Sequence, residues 1–327
     1  MAPELDALLR RHALAPASPE VAAAARALVA LGDGSVAGLI FFGSRRSQAR
    51  TDARSAYDVF VATTADAAFY RALHARGALR RSPALLTAVG RVLPPSQISL
   101  HLPGEGGARL HVKASVIHWP ALQRESGARR RDHFCVARLF QPATVLYAAD
   151  EGLREALLAA LASSHRLTFE WARPRLPAEF DAADYTRTLL EVSLASEIRP
   201  EPHGRAAALW EAQRAYLVEV YAALLDELAR AGHLVAAGPG SWRLAEPVTP
   251  AERRRVRRYF RRSLLRATAR WAKHVVTFEG WLDYIVGKVE RHTGRPLELT
   301  RRERRFPLVF LWPRVLRHLR ARGRPGA

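Results

Sequence analysis

The run Val36-Ala37-Gly38-Leu39-Ile40-Phe41-Phe42 is apolar throughout and stops at Gly43-Ser44. Ten mostly polar residues, Arg45 to Arg54, then lead to a second run, Ser55 to Ala62. Short apolar runs bounded by turn residues read as buried strands. Two of them in succession imply a sheet. The second run carries Asp58 between Tyr57 and Val59-Phe60-Val61. A carboxylate in such company is costly unless it is paired or holds a metal, so this one pattern constrains both fold and chemistry.

With 327 residues, 49% of them hydrophobic, the chain is long enough for about two domains and a sizeable core. The single cysteine, Cys135, excludes an intramolecular disulfide and a cysteine-based zinc site. It sits in the apolar run Phe134-Cys135-Val136-Ala137 and is expected to be a buried thiol. The first residues, Met1 to Arg11, carry Glu4 and Asp6 and lack the apolar stretch of a secretory signal. No run of 18 apolar residues occurs, so no spanning helix is predicted and a cytoplasmic location is expected. The net charge of +20 is concentrated: Ala251 to Ala327 holds 22 Lys+Arg and 6 Asp+Glu, which is +16 of the total. A basic tail on a nearly neutral body points to a polyanionic partner, either nucleic acid or anionic lipid.

Elsewhere the patterning alternates. Helices are predicted over Ala17 to Leu31 and Ala65 to Arg76. Strands are predicted at Gln97 to Leu102 and Arg109 to Ile117, joined by a turn at Gly104 to Gly107. A helical segment near Asp132 to Phe140 and a short strand at Thr144 to Tyr147 complete an α+β domain over residues 1–150. From Glu151 to Gly232 the pattern is helical, broken at Arg173-Pro174 and Arg199-Pro200. A hairpin follows at Leu234 to Leu244, giving residues 151–265 winged-helix character. Helices are predicted again at Arg253 to Val276 and Phe278 to Arg291, and residues 266–327 read as a basic helical region with an amphipathic tail from Phe306 to Arg322.

Strand, Gly-Ser turn, polar connection and strand with an aspartate together resemble the core of the polymerase-β type nucleotidyltransferases. Glycine lets a backbone approach a triphosphate, and main-chain N–H groups and the Ser44 hydroxyl can donate to its oxygens. Asp58, separated from Ser44 by 13 residues, would hold Mg²⁺ against the same phosphates. Alone, Gly43-Ser44 is an ordinary strand-ending turn and Asp58 a strand-edge carboxylate. Two positions from Asp58 stand Ala56 and Phe60, where many members of the superfamily carry a second acid.

That departure narrows the resemblance. Phe42-Gly43-Ser44 and Tyr57-Asp58-Val59-Phe60 resemble the aromatic-Gly-Ser turn and hydrophobic-flanked aspartate of the mitochondrial-type phosphatidate cytidylyltransferases. Further segments are similar to that family in the same order: Lys113-Ala114-Ser115-Val116-Ile117, Ala137 to Pro142, and Val192 to Arg199. Glu197 stands where the family has aspartate and Gln141 where it has lysine. The resemblance covers roughly residues 36 to 225 and does not reach the tail. It implies transfer of CMP from CTP to phosphatidate with Mg²⁺, giving CDP-diacylglycerol and pyrophosphate. Asp58 and Lys113 would be catalytic, Gly43 and Ser44 nucleotide-binding, and Arg138, Glu197 and Arg199 substrate-binding. Lys113 and Arg138 are otherwise surface cations or members of ion pairs, and Glu197 with Arg199 a salt bridge. His101, His111 and His118 lack metal-ligand spacing and read as surface or packing residues.

In the tail, Phe310, Trp312, Arg314, Arg317 and Arg320 place an apolar side beside a basic one at helical spacing. This suits the headgroup boundary of an anionic bilayer on the inner face of the cell membrane. Packing on the protein body is the competing explanation. Two other functions stay open: a nucleotidyltransferase acting on RNA or another small acceptor, and a non-catalytic lipid- or nucleic-acid-binding protein of the same fold.

Overall fold

The two apolar runs form adjacent antiparallel strands. In a computed structural model, which describes residues 4–47, 56–103, 109–195, 204–277 and 299–305 with positions 282, 286, 290 and 310, β1 (Val36–Phe42) pairs with β2 (Tyr57–Thr63). β4 (Arg109–His118) lies parallel to β2, while β3 (Ser96–Pro103) and β5 (Thr144–Ala148) add antiparallel edges to β4 and β1. The order is β3-β4-β2-β1-β5, a mixed five-stranded sheet. The central strands β1 and, apart from Asp58 and Thr63, β2 are apolar on both faces because both faces are covered.

On one face, Leu39, Phe41, Val59, Val61, Val112 and Ile98 pack against three helices. These are α2 (Pro19–Gly32), α4 (Asp66–Ala75) and α5 (Pro83–Val92), which contribute Leu28, Phe69, Leu73 and Leu86. Both α2 and α5 begin with a serine cap followed by proline: Ser18 accepts from Val21 N–H and Ser82 from Leu85 N–H. Leu28, Leu73 and Leu86 are 0% exposed, and each such side chain contributes about 1.5–3 kcal/mol by burial. On the opposite face, Ile40, Phe42, Phe60 and Ile117 meet α6 (Trp119–Ser126), α7 (Val136–Leu139) and α8 (Glu151–Arg166).

A third cluster is helical. It joins α1 (Leu5–Ala13), α9 (Thr168–Ala172), α10 (Ala182–Ala195) and α11 (Arg205–Arg230) to the hairpin β6 (Leu234–Gly238) and β7 (Ser241–Leu244). Trp242 of the hairpin exchanges backbone hydrogen bonds with Phe180, which ties it to the segment before α10. α12 (Pro250–Thr277) follows. It opens on a reciprocal cap, in which the Thr249 N–H donates to the Glu252 carboxylate and the Glu252 N–H to the Thr249 hydroxyl. It then runs without a break past residue 265.

The α+β class and the strand runs agree with the sequence reading. Four helices, α1, the single turn Ser44–Ser47, α5 and α6, were not anticipated, and the segment Asp132 to Phe140 is helical only over α7. Arg173-Pro174 ends α9 in a 3-10 turn, Arg173–Arg175. Cys135 is buried as expected, and burial pushes its thiol pKa well up. The turn at Gly104 to Gly107, the break at Arg199-Pro200, the helix Phe278 to Arg291 and the tail from Phe306 lie outside the described residues, isolated positions excepted. No described helix is long and apolar enough to cross a membrane.

Candidate active site

Asp58 sits one residue into β2, with Phe42 as its partner on β1 and Lys113 as its neighbour on β4. Side chains alternate along a strand. Since Tyr57, Val59 and Val61 belong to the face under α2 and α4, Asp58 shares the other face with Phe42 and Phe60. Lys113 lies on that face too, because Val112 and Ala114 point the other way. Asp58 is half-buried.

Gly43 covers the aspartate. Its φ is +87°, and a Cβ built on it would come 2.8 Å from Asp58 Oδ2 and 3.2 Å from Asp58 Cβ. Only glycine satisfies both the left-handed backbone and the close approach. The turn continues into α3 (Ser44–Ser47), whose Arg46 N–H donates to the Gly43 carbonyl at 3.0 Å.

Two arginines fix this turn. Arg45 donates to the Tyr57 hydroxyl at 2.8 Å and lies 4.3 Å over the Tyr57 ring. Tyr57 in turn donates to Glu20 at the start of α2, and burial, then the Glu20 contact, raises its pKa. Arg46 donates to the Thr144 hydroxyl of β5 at 2.7 Å and to the His12 carbonyl of α1 at 3.4 Å. The turn is thereby held from both sides of the sheet. Neither arginine was singled out in the sequence, because each contact depends on elements far away in the chain.

Across β4 the same face is polar. Ser99 faces Lys113 in the β3–β4 register, and its hydroxyl lies 2.8 Å from His111 Nε2. His111 stacks on His101, with ring centroids 5.0 Å apart and planes within 8°. Burial, then His101 and Lys113, pushes the His111 imidazole down to about 4, so it is neutral at pH 7. Further along, Gln97 donates to the Ser115 hydroxyl at 3.4 Å. His111 is therefore a packing residue beside Lys113, whereas His101 and His118 are exposed.

A cationic wall stands on the same side. Phe134 packs edge-on against Phe60 at 6.3 Å. Arg138 of α7 lies 3.7 Å over the Phe134 ring and donates to its carbonyl at 2.9 Å, and Arg270 of α12 lies 4.5 Å over the same ring. Arg270 and Arg266 both donate to Asp132 Oδ2 at 2.7 Å. Burial alone would raise the Asp132 carboxyl, but Arg270 and Arg266 outweigh it and hold it below the ordinary range. Lys273 donates to the Leu93 and Pro95 carbonyls and, at 3.2 Å, to the Ser96 hydroxyl at the start of β3.

Of the residues expected at the site, Gly43, Asp58 and Lys113 come together on one sheet face, Ser44 follows directly in the turn, and Arg138 stands on the same side. Glu197, Arg199, Trp312, Arg314, Arg317 and Arg320 lie outside the described residues, and Phe310 is exposed. Among the described residues no group of three or more His, Cys, Asp or Glu side chains is placed to hold a metal ion. Asp58 is the only carboxylate on the described part of this sheet face. One carboxylate suits Mg²⁺, which keeps several waters and takes further ligands from substrate phosphates. An open groove of about 540 Å³ runs between α2 and β5, reaching Thr144 beside the Arg46 anchor, but Asp58, Lys113 and Arg138 do not line it. No protein-family model matches the chain, and no curated protein matches it.

Proposed function

We propose that the chain is a nucleotidyltransferase of the polymerase-β type that moves CMP from CTP to phosphatidate. The observation that carries this reading is the Gly43 turn closed over Asp58, with Lys113 in the adjacent register position and Arg138 on the same side of the sheet. A lone carboxylate among cations fits a phosphate acceptor better than a hydroxyl acceptor. A hydroxyl must lose a proton to attack, whereas a phosphate monoester, with a second pKa near about 6, is already anionic at neutral pH. The acceptor phosphate oxygen attacks the α-phosphorus of CTP, the bond from that phosphorus to the bridging oxygen breaks, and pyrophosphate leaves. In this scheme the Gly43-Ser44 turn admits and hydrogen-bonds the triphosphate. Lys113 and Arg138 neutralise and align the two phosphate groups. Asp58 holds Mg²⁺, which when bound supplies charge neutralisation for the leaving pyrophosphate.

The motifs similar to the phosphatidate cytidylyltransferases favour the lipid acceptor. The hairpin β6–β7 between α11 and the arginine-rich α12 favours a second reading, an RNA acceptor. One experiment separates them: purified protein with each labelled nucleoside triphosphate, Mg²⁺, and either phosphatidate vesicles or RNA. The expected product is CDP-diacylglycerol from CTP. Nucleotide added to RNA would establish the second reading, and no consumption of any nucleotide would leave a binding protein.

A further inference from the structure

α12 has two faces of different character. Ser263, Arg270 and Lys273 are buried against the body, with Val256, Tyr259 and Phe260 partly buried beside them. At 3.6 residues per turn, Arg254, Arg258, Arg261 and Leu265 all point within roughly 40° of the direction opposite Ser263. Arg257 and Leu264 flank them. All six are exposed, Leu265 to 72% and Leu264 to 44%. Among the described residues no carboxylate pairs with any of these four arginines; the ion pairs of α12 involve Glu252, Arg266 and Arg270.

The helix gains nothing from this arrangement by itself. Like charges at three- and four-residue spacing repel. A polyanion laid along the stripe, about 16 Å from Arg254 to Leu265, would relieve that repulsion. We infer that this outward face of α12 is a docking surface for an anionic bilayer. The leucines decide between polyanions: a nucleic acid backbone rewards only the arginines, whereas a headgroup boundary rewards arginines and the adjoining apolar side chains together. The inference stands apart from the transferase reading, since it uses none of the residues around Asp58.

The test uses the full chain without nucleotide, sedimented with phosphatidylcholine vesicles that contain or lack phosphatidylglycerol. Binding is expected only with phosphatidylglycerol, and raised salt should weaken it. The combined variant Arg254→Gln, Arg257→Gln, Arg258→Gln and Arg261→Gln should lose vesicle binding by more than about tenfold. Leu264→Ser with Leu265→Ser should also weaken it severalfold. Far-UV circular dichroism and thermal unfolding confirm that both variants fold. Unchanged binding by the glutamine variant would mean that the membrane contact lies elsewhere, in the tail for instance, and would overturn the inference. Unchanged binding by the serine variant, or RNA binding without vesicle binding, would overturn the bilayer as occupant.

Discussion

Asp58 is tolerated in an apolar strand because it stands at the strand's start, under a glycine that leaves it room. If it anchors Mg²⁺, Asp58→Asn should abolish nucleotide turnover while leaving the unfolding temperature close to that of the unmodified chain. Wild-type turnover in the variant would remove Asp58 from the site. Gly43→Ala makes a different demand. The new Cβ would enter both a left-handed backbone and the space of the Asp58 carboxylate. Strain of about 1–3 kcal/mol is expected, so both stability and turnover should fall, as denaturant unfolding and a rate assay would show. Ser44→Ala should spare stability and weaken nucleotide use alone, by about 1.5–3 kcal/mol for one hydrogen bond to a charged group. Equal CTP affinity and rate would reduce Gly43-Ser44 to a turn. Asp58 was legible in the sequence because a charge between aromatic and β-branched neighbours is conspicuous. Arg45, Arg46 and Asp132 were not, because an arginine in a polar stretch gives no sign of the distant tyrosine, threonine or carboxylate it will meet.

At the scale of elements, α12 is the strap that joins the helical part to the sheet. Three of its cations enter the body, yet among the described residues Asp132 is the one carboxylate that hydrogen-bonds to any of them, and their other hydrogen bonds there go to neutral carbonyls and a hydroxyl. Removing one partner of a buried pair leaves uncompensated charge, so Asp132→Ala should cost about 3–5 kcal/mol, read from urea unfolding. Lys273 adds a pH dependence. Burial, then Arg270 and Arg266, lowers its pKa to about 7 from an ordinary value of 10.5. Between those two values the unfolded chain binds more protons than the folded one, so stability rises with pH across that window and is lost as pH falls toward 7. Lys273→Met should flatten this rise, measured as unfolding temperature at successive pH values beside the unmodified chain. An identical slope in both proteins would show that Lys273 does not titrate there. Elements buried on both faces, such as β1 and β2, were plain in the sequence because β1 is apolar throughout and β2 is apolar from Val59 to Ala62. α1 and α5 were missed, although Ser82-Pro83 is a helix-start signal, because only Leu5, Leu8 and Leu9, or Leu86 with its small neighbours, mark their buried sides.

Over the whole molecule, most of the net charge and the candidate site lie in different parts of the chain. The sheet that carries Asp58 belongs to the part of the chain that is nearly neutral, whereas +16 of the +20 follows residue 250. The packing is consistent with this: α12 commits one side to the body through Ser263, Arg270 and Lys273 and leaves Arg254, Arg257, Arg258 and Arg261 outward. The tail adds Phe310, Trp312, Arg314, Arg317 and Arg320 in the same sense. If the basic region gathers the protein at a membrane while catalysis stays on the sheet, the two activities can be cut apart. Truncation before Phe306 should lower sedimentation with anionic vesicles, by about 1 kcal/mol for each basic residue removed from the surface. Turnover of long-chain phosphatidate in vesicles should fall with it, because the acceptor is met only at the surface. Turnover of a short-chain, soluble phosphatidate should survive, since Asp58, Lys113 and Arg138 are untouched. Loss of both activities with a lowered unfolding temperature would mean that the tail packs on the body. Retention of vesicle binding would place the whole membrane contact upstream of it, on α12.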